Sequence, residues 1–146
     1  MRLKSTRRGE RGAALVEFSI AALVFLTSVF GVIEFGRLLW THNALTDAAR
    51  RGARYAVTHL ATEGEDAKRM AVYATTDDGA SSPMVTGLKT TNVTVTHSGD
   101  FGAGQGTVTV KIENYDFKFV VPLVGTTIRM PDYTSTLTAE SAGTLP

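Results

Sequence analysis

The feature that most constrains this chain is an apolar run near its amino terminus. Residues 18–33 read FSIAALVFLTSVFGVI and carry no charge, and Ala13 to Val16 add four apolar positions ahead of Glu17. At a rise of about 1.5 Å per residue, a helix over residues 13–33 is roughly 30 Å long, which matches the hydrocarbon core of a bilayer. The three hydroxyl side chains within the run can bond back to the helix itself. We therefore predict a transmembrane helix over residues 13–33.

The charges on either side of the run predict its orientation. Residues 1–12 hold five basic side chains and one acidic one, whereas the net charge of the whole chain is only +1. Because basic flanks stay on the cytoplasmic side, we expect the amino terminus in the cytoplasm and everything after Ile33 to be exported. The positive charge sits in a short head rather than on a folded face, so nucleic-acid binding is not expected.

A cleaved secretory signal peptide is the alternative interpretation of this segment. It is disfavoured because the apolar run is longer than the usual signal core of about 7 to 15 residues and no small-x-small cleavage site follows it. The chain has no cysteine, which excludes disulfides and thiolate metal sites.

Glu17 places a carboxylate inside the predicted span. A charge in lipid costs about 2.5 to 3.5 kcal/mol at mid-membrane and less near an interface. If the chain were cut between Gly12 and Ala13, the new amine would lie about 6 Å from Glu17 along one helical face. The carboxylate could then be neutralised by that amine or by the amine of a neighbouring subunit. The plainer interpretation is an interfacial glutamate that reaches the membrane surface.

Three segments carry a resemblance to a known family. Residues 11–18 (RGAALVEF) resemble the processing site of type IV prepilins, with a basic leader, a glycine before the scissile bond and Glu at the fifth mature position. The Ala13-Ala14 start differs from the main prepilin classes and fits the TadE-like minor pseudopilins of the tight-adherence (Flp) pilus system. Residues 31–37 (GVIEFGR) and 44–56 (ALTDAARRGARYA) are similar to stretches that recur in that family.

The resemblance implies a specific role. A prepilin peptidase would cut between Gly12 and Ala13, and Glu17 would guide subunit docking by pairing with a mature amino terminus. The implied partners are that peptidase, other pilins and pseudopilins, the inner-membrane assembly platform and the lipid bilayer. The implied location is the bacterial inner membrane, with incorporation into the extracellular pilus as a further step. The expected function is pilus assembly and surface adherence, without catalysis, cofactor or metal.

Two other functions stay open at this point. One is an unprocessed, signal-anchored envelope protein whose exported domain binds a partner. The other is an exported hydrolase, but His97, Ser98 and Asp100 lie too close together along the chain to converge as a triad. His42 and His59 are far apart and lack a zinc-ligand pattern.

Helical periodicity continues past the membrane to about Thr58. Small residues recur every four positions and form a ridge, which we assign to packing of the exported domain against its own helix, with subunit packing as the alternative. The ridge comprises Ala44, Ala48, Gly52 and Ala56, and Leu45, Ala49 and Ala53 border it. On the other side, we expect Arg50, Arg51 and Arg54 to form a solvated charged face with Asp47.

The rest of the chain predicts a small α+β domain. We divide the protein into a leader (1–12), a transmembrane helix (13–33), an exported helical continuation (34–60) and an exported domain (61–146). The exported domain is predicted to hold the helix 65–74, with Ala67, Met70, Ala71 and Ala74 on one face, a loop over 77–91, and strands over 92–97, 106–113 and 133–139. These strands should form an antiparallel sheet leaning on the long helix. The apolar residues of 117–124 are assigned to the core, with a docking surface as the alternative.

Overall fold

The computed structural model describes residues 8–59, 61–99, 106–121 and 127–138. Most of the predicted leader, together with Asp100 and the apolar residues Leu123 and Val124, lies outside these ranges. The boundaries of the four predicted segments therefore stay predictions.

A single helix of 51 residues, α1 (Arg8–Thr58), forms the stem of the molecule. It begins five residues before the predicted start at Ala13, although Gly9 and Gly12 lower the helix propensity of this stretch. Within the apolar run, the hydroxyls of Ser19 and Ser28 donate to the carbonyl oxygens four residues earlier, at 2.7 and 2.8 Å. These bonds satisfy the polar groups of an otherwise apolar helix.

The first half of α1 packs against nothing in the described chain. Its apolar window has a mean hydropathy of 2.2, none of it is buried, and α1 is the one helix of the described residues that is long and apolar enough to cross a membrane. Side chains such as Phe18, Leu23 and Val32 are 71%, 65% and 73% exposed. An apolar surface of this size on a soluble chain would drive association, so it indicates a single membrane-spanning helix.

The second half of α1 carries a folded domain, which the charges around the apolar run predict to be exported and which we call the exported domain. Helix α2 (Gly64–Tyr73) packs against it, and a three-stranded antiparallel sheet covers another side. The sheet consists of β1 (Val93–Ser98), β2 (Thr107–Ile112) and a strand over Tyr133–Thr138, in that spatial order. These elements confirm the α+β class and the three predicted strands, with ends that differ by at most one residue.

A second sheet was not predicted. It pairs two antiparallel three-residue strands, β3 (Asp116–Lys118) and β4 (Thr127–Arg129), and the strand over Tyr133–Thr138 is therefore β5. β3 and β4 both lie between the predicted strands over 106–113 and 133–139, where no strand was predicted. Short 3₁₀ turns precede α2 (Ala61–Glu63) and β1 (Thr90–Asn92).

The core lies between α1, α2 and the inner face of the sheet. Leu45, Ala49 and Ala53 of the stem are almost fully buried, as are Val108, Val110 and Ile112 of β2. Of the four ridge residues, Ala48, Gly52 and Ala56 are buried and Ala44 is half-buried. The ridge thus packs against elements of its own chain.

Gly52 marks the closest approach between the layers. A Cβ atom at this position would lie 3.0 Å from the Ala71 Cβ, 3.2 Å from the Ala67 carbonyl oxygen and 3.3 Å from Val110 Cγ1. Because both α2 and β2 contribute these atoms, neither layer could move away without disturbing the other. A Cβ at Gly36, in contrast, would meet nothing within 4 Å.

Three side-chain predictions were wrong. Arg51 is half-buried rather than solvated, because its Nη2 donates to the Ala71 carbonyl oxygen at 3.2 Å in the last turn of α2, where carbonyls lack helical partners. Ala74 does not join the buried face of α2, since it is the left-handed cap (φ 57°) that ends the helix. Val120 is 72% exposed rather than in the core, although Phe117 is 3% exposed.

We predict that Gly52→Val destabilises the exported domain whereas Gly36→Val does not. Both changes replace glycine by valine in the same helix, so they differ in packing rather than in helix propensity. Overpacking at Gly52 should lower the free energy of unfolding by about 1 to 3 kcal/mol relative to Gly36→Val. Pulse proteolysis of the full chain in detergent measures this difference, and equal stabilities of the two variants would contradict the packing assigned to Gly52.

Candidate functional site

The residues of the predicted processing site lie along the uncovered start of α1. Gly12, Ala13 and Glu17 are all exposed. A Cβ at Gly12 would meet nothing within 4 Å, so packing within this fold does not require glycine there. Among the described side chains, Glu17 has no hydrogen-bond or ion-pair partner. The peptide bond between Gly12 and Ala13 lies inside α1, within the continuous helix that starts at Arg8.

A second carboxylate, Glu34, lies at the point where α1 leaves the predicted span. It is 3% exposed, although its neighbours Ile33 and Phe35 are 52% and 61% exposed. The burial comes from the segment after β3, which folds back onto this turn of the stem. Glu34 Oε1 accepts hydrogen bonds from the backbone N–H groups of Val120 and Val121, at 2.9 and 3.1 Å.

Arg37 completes this contact from the next turn of α1. Its Nη1 donates to Glu34 Oε2 at 2.6 Å, so both oxygens of the carboxylate are occupied. The guanidinium carbon lies 5.3 Å from the centroid of the Phe117 ring, within range of a cation–π interaction. Phe117 in turn meets Phe119 edge to face at 5.3 Å between centroids. We call Glu34, Arg37 and the residues they hold in segment 117–121 the stem clamp.

The partners of Glu34 favour its ionised form. Burial by itself raises the pKa of Glu34, but the N–H groups of Val120 and Val121 and the charge of Arg37 together hold it below the ordinary value. A carboxyl whose pKa is lower in the folded protein contributes its full stabilisation above the ordinary carboxyl pKa. That stabilisation is lost as the pH falls through the lowered value, so the clamp should hold at neutral and mildly acidic pH.

A further polar contact fastens the domain to the stem. His42 Nδ1 lies 2.9 Å from the hydroxyl oxygen of Tyr133 on β5, with the rings edge to face, and this contact helps to fix the domain in one orientation on α1. Another contact joins two distant segments within the domain. The Tyr115 hydroxyl donates to the Thr86 carbonyl oxygen at 2.8 Å, and burial raises the pKa of Tyr115.

The histidines considered as metal ligands occupy other roles in the described structure. His42 binds Tyr133, and His59 stacks on Tyr55 with 3.8 Å between ring centroids. His97 lies in β1, and Asp100 lies outside the described residues. The residues that the structure describes contain no group of three or more side chains that could hold a metal ion.

Sequence reasoning missed the stem clamp, although Glu34 and Arg37 stand in the family-like stretch 31–37. That stretch was interpreted as an amphipathic continuation of the helix. A Glu and an Arg three positions apart directly after a membrane span are a usable signal, because such a pair can bond on one helical face. The partners at Val120 and Val121 lie 86 and 87 residues away, so no local pattern could have identified them.

We predict that Glu34→Ala releases the segment after β3 from the stem. The substitution leaves two N–H groups and a guanidinium without an acceptor, so amide hydrogen exchange at Val120 and Val121 should accelerate by about 5- to 100-fold. Glu65→Ala is the matched control, because Glu65 also receives a 2.6 Å bond from a cation but its side chain is 67% exposed. Unchanged exchange at Val120 and Val121 in Glu34→Ala would contradict the clamp.

Comparison with known families gives one finding for this part of the chain. The model of the family described as TadE-like protein matches residues 12–54, which begin at Gly12 and include Glu17, the stem clamp residues of α1 and most of the ridge. No curated protein and no solved structure shows a significant match to the chain. The family match confirms the resemblance seen in the sequence, and residues 12–54 of this protein are a TadE-like segment.

Proposed function

We propose that this protein is a minor pseudopilin of a Tad/Flp-type pilus, with a structural and assembly role and no catalysis. The observation that carries the proposal is the division of α1 into an uncovered apolar half with an exposed Glu17 and a half that carries a small folded domain. The TadE-like match covers both halves. A subunit of this shape can sit in the bilayer before assembly and exchange lipid for other subunits during assembly.

Processing between Gly12 and Ala13 is the first step of the proposed role. Packing in this fold does not require glycine at position 12, since a side chain there would have open space. A peptidase that needs a small residue at the cut would explain the glycine. Since the bond lies in a helix, a peptidase has to unwind α1 to reach it. Glycine lowers the stability of a helix by about 1 kcal/mol relative to alanine, which eases that step.

Docking through Glu17 is the second step. An exposed carboxylate without a partner in its own chain is available to the amine of another subunit. In a medium of low dielectric constant, such a pair is much stronger than it would be in water, and it removes the penalty of an isolated charge in lipid. Glu17 would thereby set the register between neighbouring helices.

Orientation and location follow from the charges. The basic residues ahead of the span favour a cytoplasmic amino terminus and an exported domain, in the inner membrane of a bacterium. The proposed partners are the prepilin peptidase, other pilins and pseudopilins and the assembly platform of the same system. The proposed outcome of this assembly is a pilus that mediates surface adherence.

One observation favours a second candidate function. In the uncut chain, helix α1 continues through Gly12 and Ala13 to Arg8, and an anchor that is never cut would keep this helix whole. In that case the protein is a signal-anchored envelope protein, and its exported domain binds a partner at the membrane surface. The identity of the mature amino terminus separates the two functions.

We predict that Gly12→Val blocks processing in cells that contain the matching peptidase. Intact-mass spectrometry of the membrane-extracted protein should give a chain starting at Ala13 for the wild type and a chain that keeps the leader for the variant. Gly31→Val is the control, because it is the same change in the same helix at another position with open space around it. A wild-type chain that starts at Met1 would rule out processing and favour the signal-anchored alternative.

We predict that Glu17→Ala is cleaved normally but enters pili poorly. Removing the carboxylate also removes its desolvation penalty, so membrane insertion should persist while the pairing with a neighbouring amine is lost. Glu10→Ala is the control, since that residue leaves with the leader. Immunoblots of sheared pili and of membranes measure the distribution, and wild-type incorporation of Glu17→Ala would remove the docking role.

A further inference from the structure

A groove opens beside the stem, just past the end of the predicted span. It has a volume of about 900 Å³ and lies between the turns of α1 that follow Ile33, the loop that precedes β1, and the segment around β3. Arg37 and Trp40 line it from the stem, and Lys89 and Lys118 line it from the exported domain. The stem clamp holds one wall of the groove in place through Phe117.

The groove is positively charged. Lys89 and Lys118 are exposed, and neither has a carboxylate within ion-pair distance among the described residues. The one carboxylate in the lining, Asp116, already accepts a bond from Arg129 Nε at 3.2 Å. Arg37 uses Nη1 on Glu34, and its remaining guanidinium N–H groups stay available as donors.

The net charge of this region follows from its six ionised side chains. Four are positive (Arg37, Lys89, Lys118 and Arg129) and two are negative (Glu34 and Asp116), which leaves a net charge of +2. The whole chain carries only +1, so the groove concentrates positive charge at one level of the molecule. An anion is the ligand that this field favours.

The position of the groove along α1, relative to the end of the predicted span at Ile33, indicates which anion lies next to it. Arg37 and Trp40 follow Ile33 by four and seven residues, which places them about 6 and 10 Å beyond the hydrocarbon core. The headgroup layer of a bilayer is about 5 to 8 Å thick on each side. Trp40 is 61% exposed, and tryptophan is enriched at the membrane–water interface. The stem side of the groove therefore begins at the level of the lipid phosphates, at Arg37, and ends just above that level, at Trp40.

We propose that this groove binds the phosphodiester headgroup of an anionic phospholipid. Lys89 and Lys118 contribute compact charges, and Arg37 contributes planar donors that suit phosphate oxygens. Trp40 forms the wall at the interface. A bound lipid would bridge the stem to the exported domain and hold that domain against the membrane surface. Lipid binding by the groove requires that α1 is inserted in a bilayer, but it does not require the proposed pilus role. The lipid proposal and the pilus proposal can therefore fail separately.

Trp40 is the only tryptophan of the chain, so its intrinsic fluorescence reports on the groove. The test uses the full chain in nanodiscs of phosphatidylcholine with increasing phosphatidylglycerol. Native mass spectrometry counts the phosphatidylglycerol retained per chain, and Trp40 emission follows occupancy. We expect retention of at least one phosphatidylglycerol in preference to phosphatidylcholine, together with a saturable change in Trp40 emission. Absence of a preference between the two lipids would overturn the proposal.

Charge variants separate a groove site from general attraction to an anionic surface. The double variant with Lys89→Gln and Lys118→Gln should bind phosphatidylglycerol at least about tenfold more weakly. The double variant with Arg50→Gln and Lys68→Gln removes the same charge from α1 and α2, away from the groove lining, and should bind like the wild type. Replacing both groove lysines by arginine should retain binding and shows that the substituted groove still folds. Equal losses in both glutamine variants would overturn the groove site.

A soluble compound with a phosphate group could bind the same basic side chains as a lipid headgroup. Inorganic phosphate and glycerol 3-phosphate are therefore titrated against the full chain in phosphatidylcholine nanodiscs. We expect neither to change Trp40 emission at concentrations where phosphatidylglycerol saturates the groove. A saturable response to either compound at comparable concentration would identify a soluble ligand and overturn the lipid assignment.

Discussion

The structure depends on one constraint, which is that nothing in the described part of the chain covers the first half of its longest helix. The folded domain packs on the second half of α1, and the first half keeps an apolar surface that lipid or other subunits can cover. The change from one environment to the other begins at Glu34, which is 3% exposed beside Ile33 at 52% and is the first buried residue of α1 from Gly12 onward. The stem clamp and the charged groove both meet α1 just after this point, where the predicted span ends.

The exported domain is stable because the stem supplies part of its core. Small side chains along α1 let α2 and β2 approach closely, and Gly52 is the position where an added methyl group has no space. Polar contacts then fix the orientation, with Arg51 at the end of α2, His42 on Tyr133 and Glu34 on the segment after β3. A domain fastened at these places keeps a fixed position relative to α1, which suits the proposed role as a pilus subunit.

Local patterns were sufficient to predict much of this fold. The apolar run, the spacing of small residues and the alternation of β1 and β2 each report on neighbouring positions, and the TadE-like resemblance rests on contiguous motifs. What the sequence did not reveal depends on distant partners. The strands β3 and β4 have three residues each, too few for a visible alternation, and Glu34 finds its donors 86 and 87 residues away. Arg51 was misplaced for the same reason, because its acceptor belongs to α2.

The position of lipid along α1 tests the account most directly, and the chain suits the measurement because it contains no cysteine. Single substitutions such as Leu23→Cys, Phe30→Cys and Arg50→Cys carry spin labels whose collisions with oxygen and with a water-soluble nickel complex report lipid and water. In bilayers, the labels at Leu23 and Phe30 should meet oxygen and not nickel, and the label at Arg50 should meet nickel. Access of nickel to Leu23 and Phe30 would contradict a membrane-embedded first half of the stem.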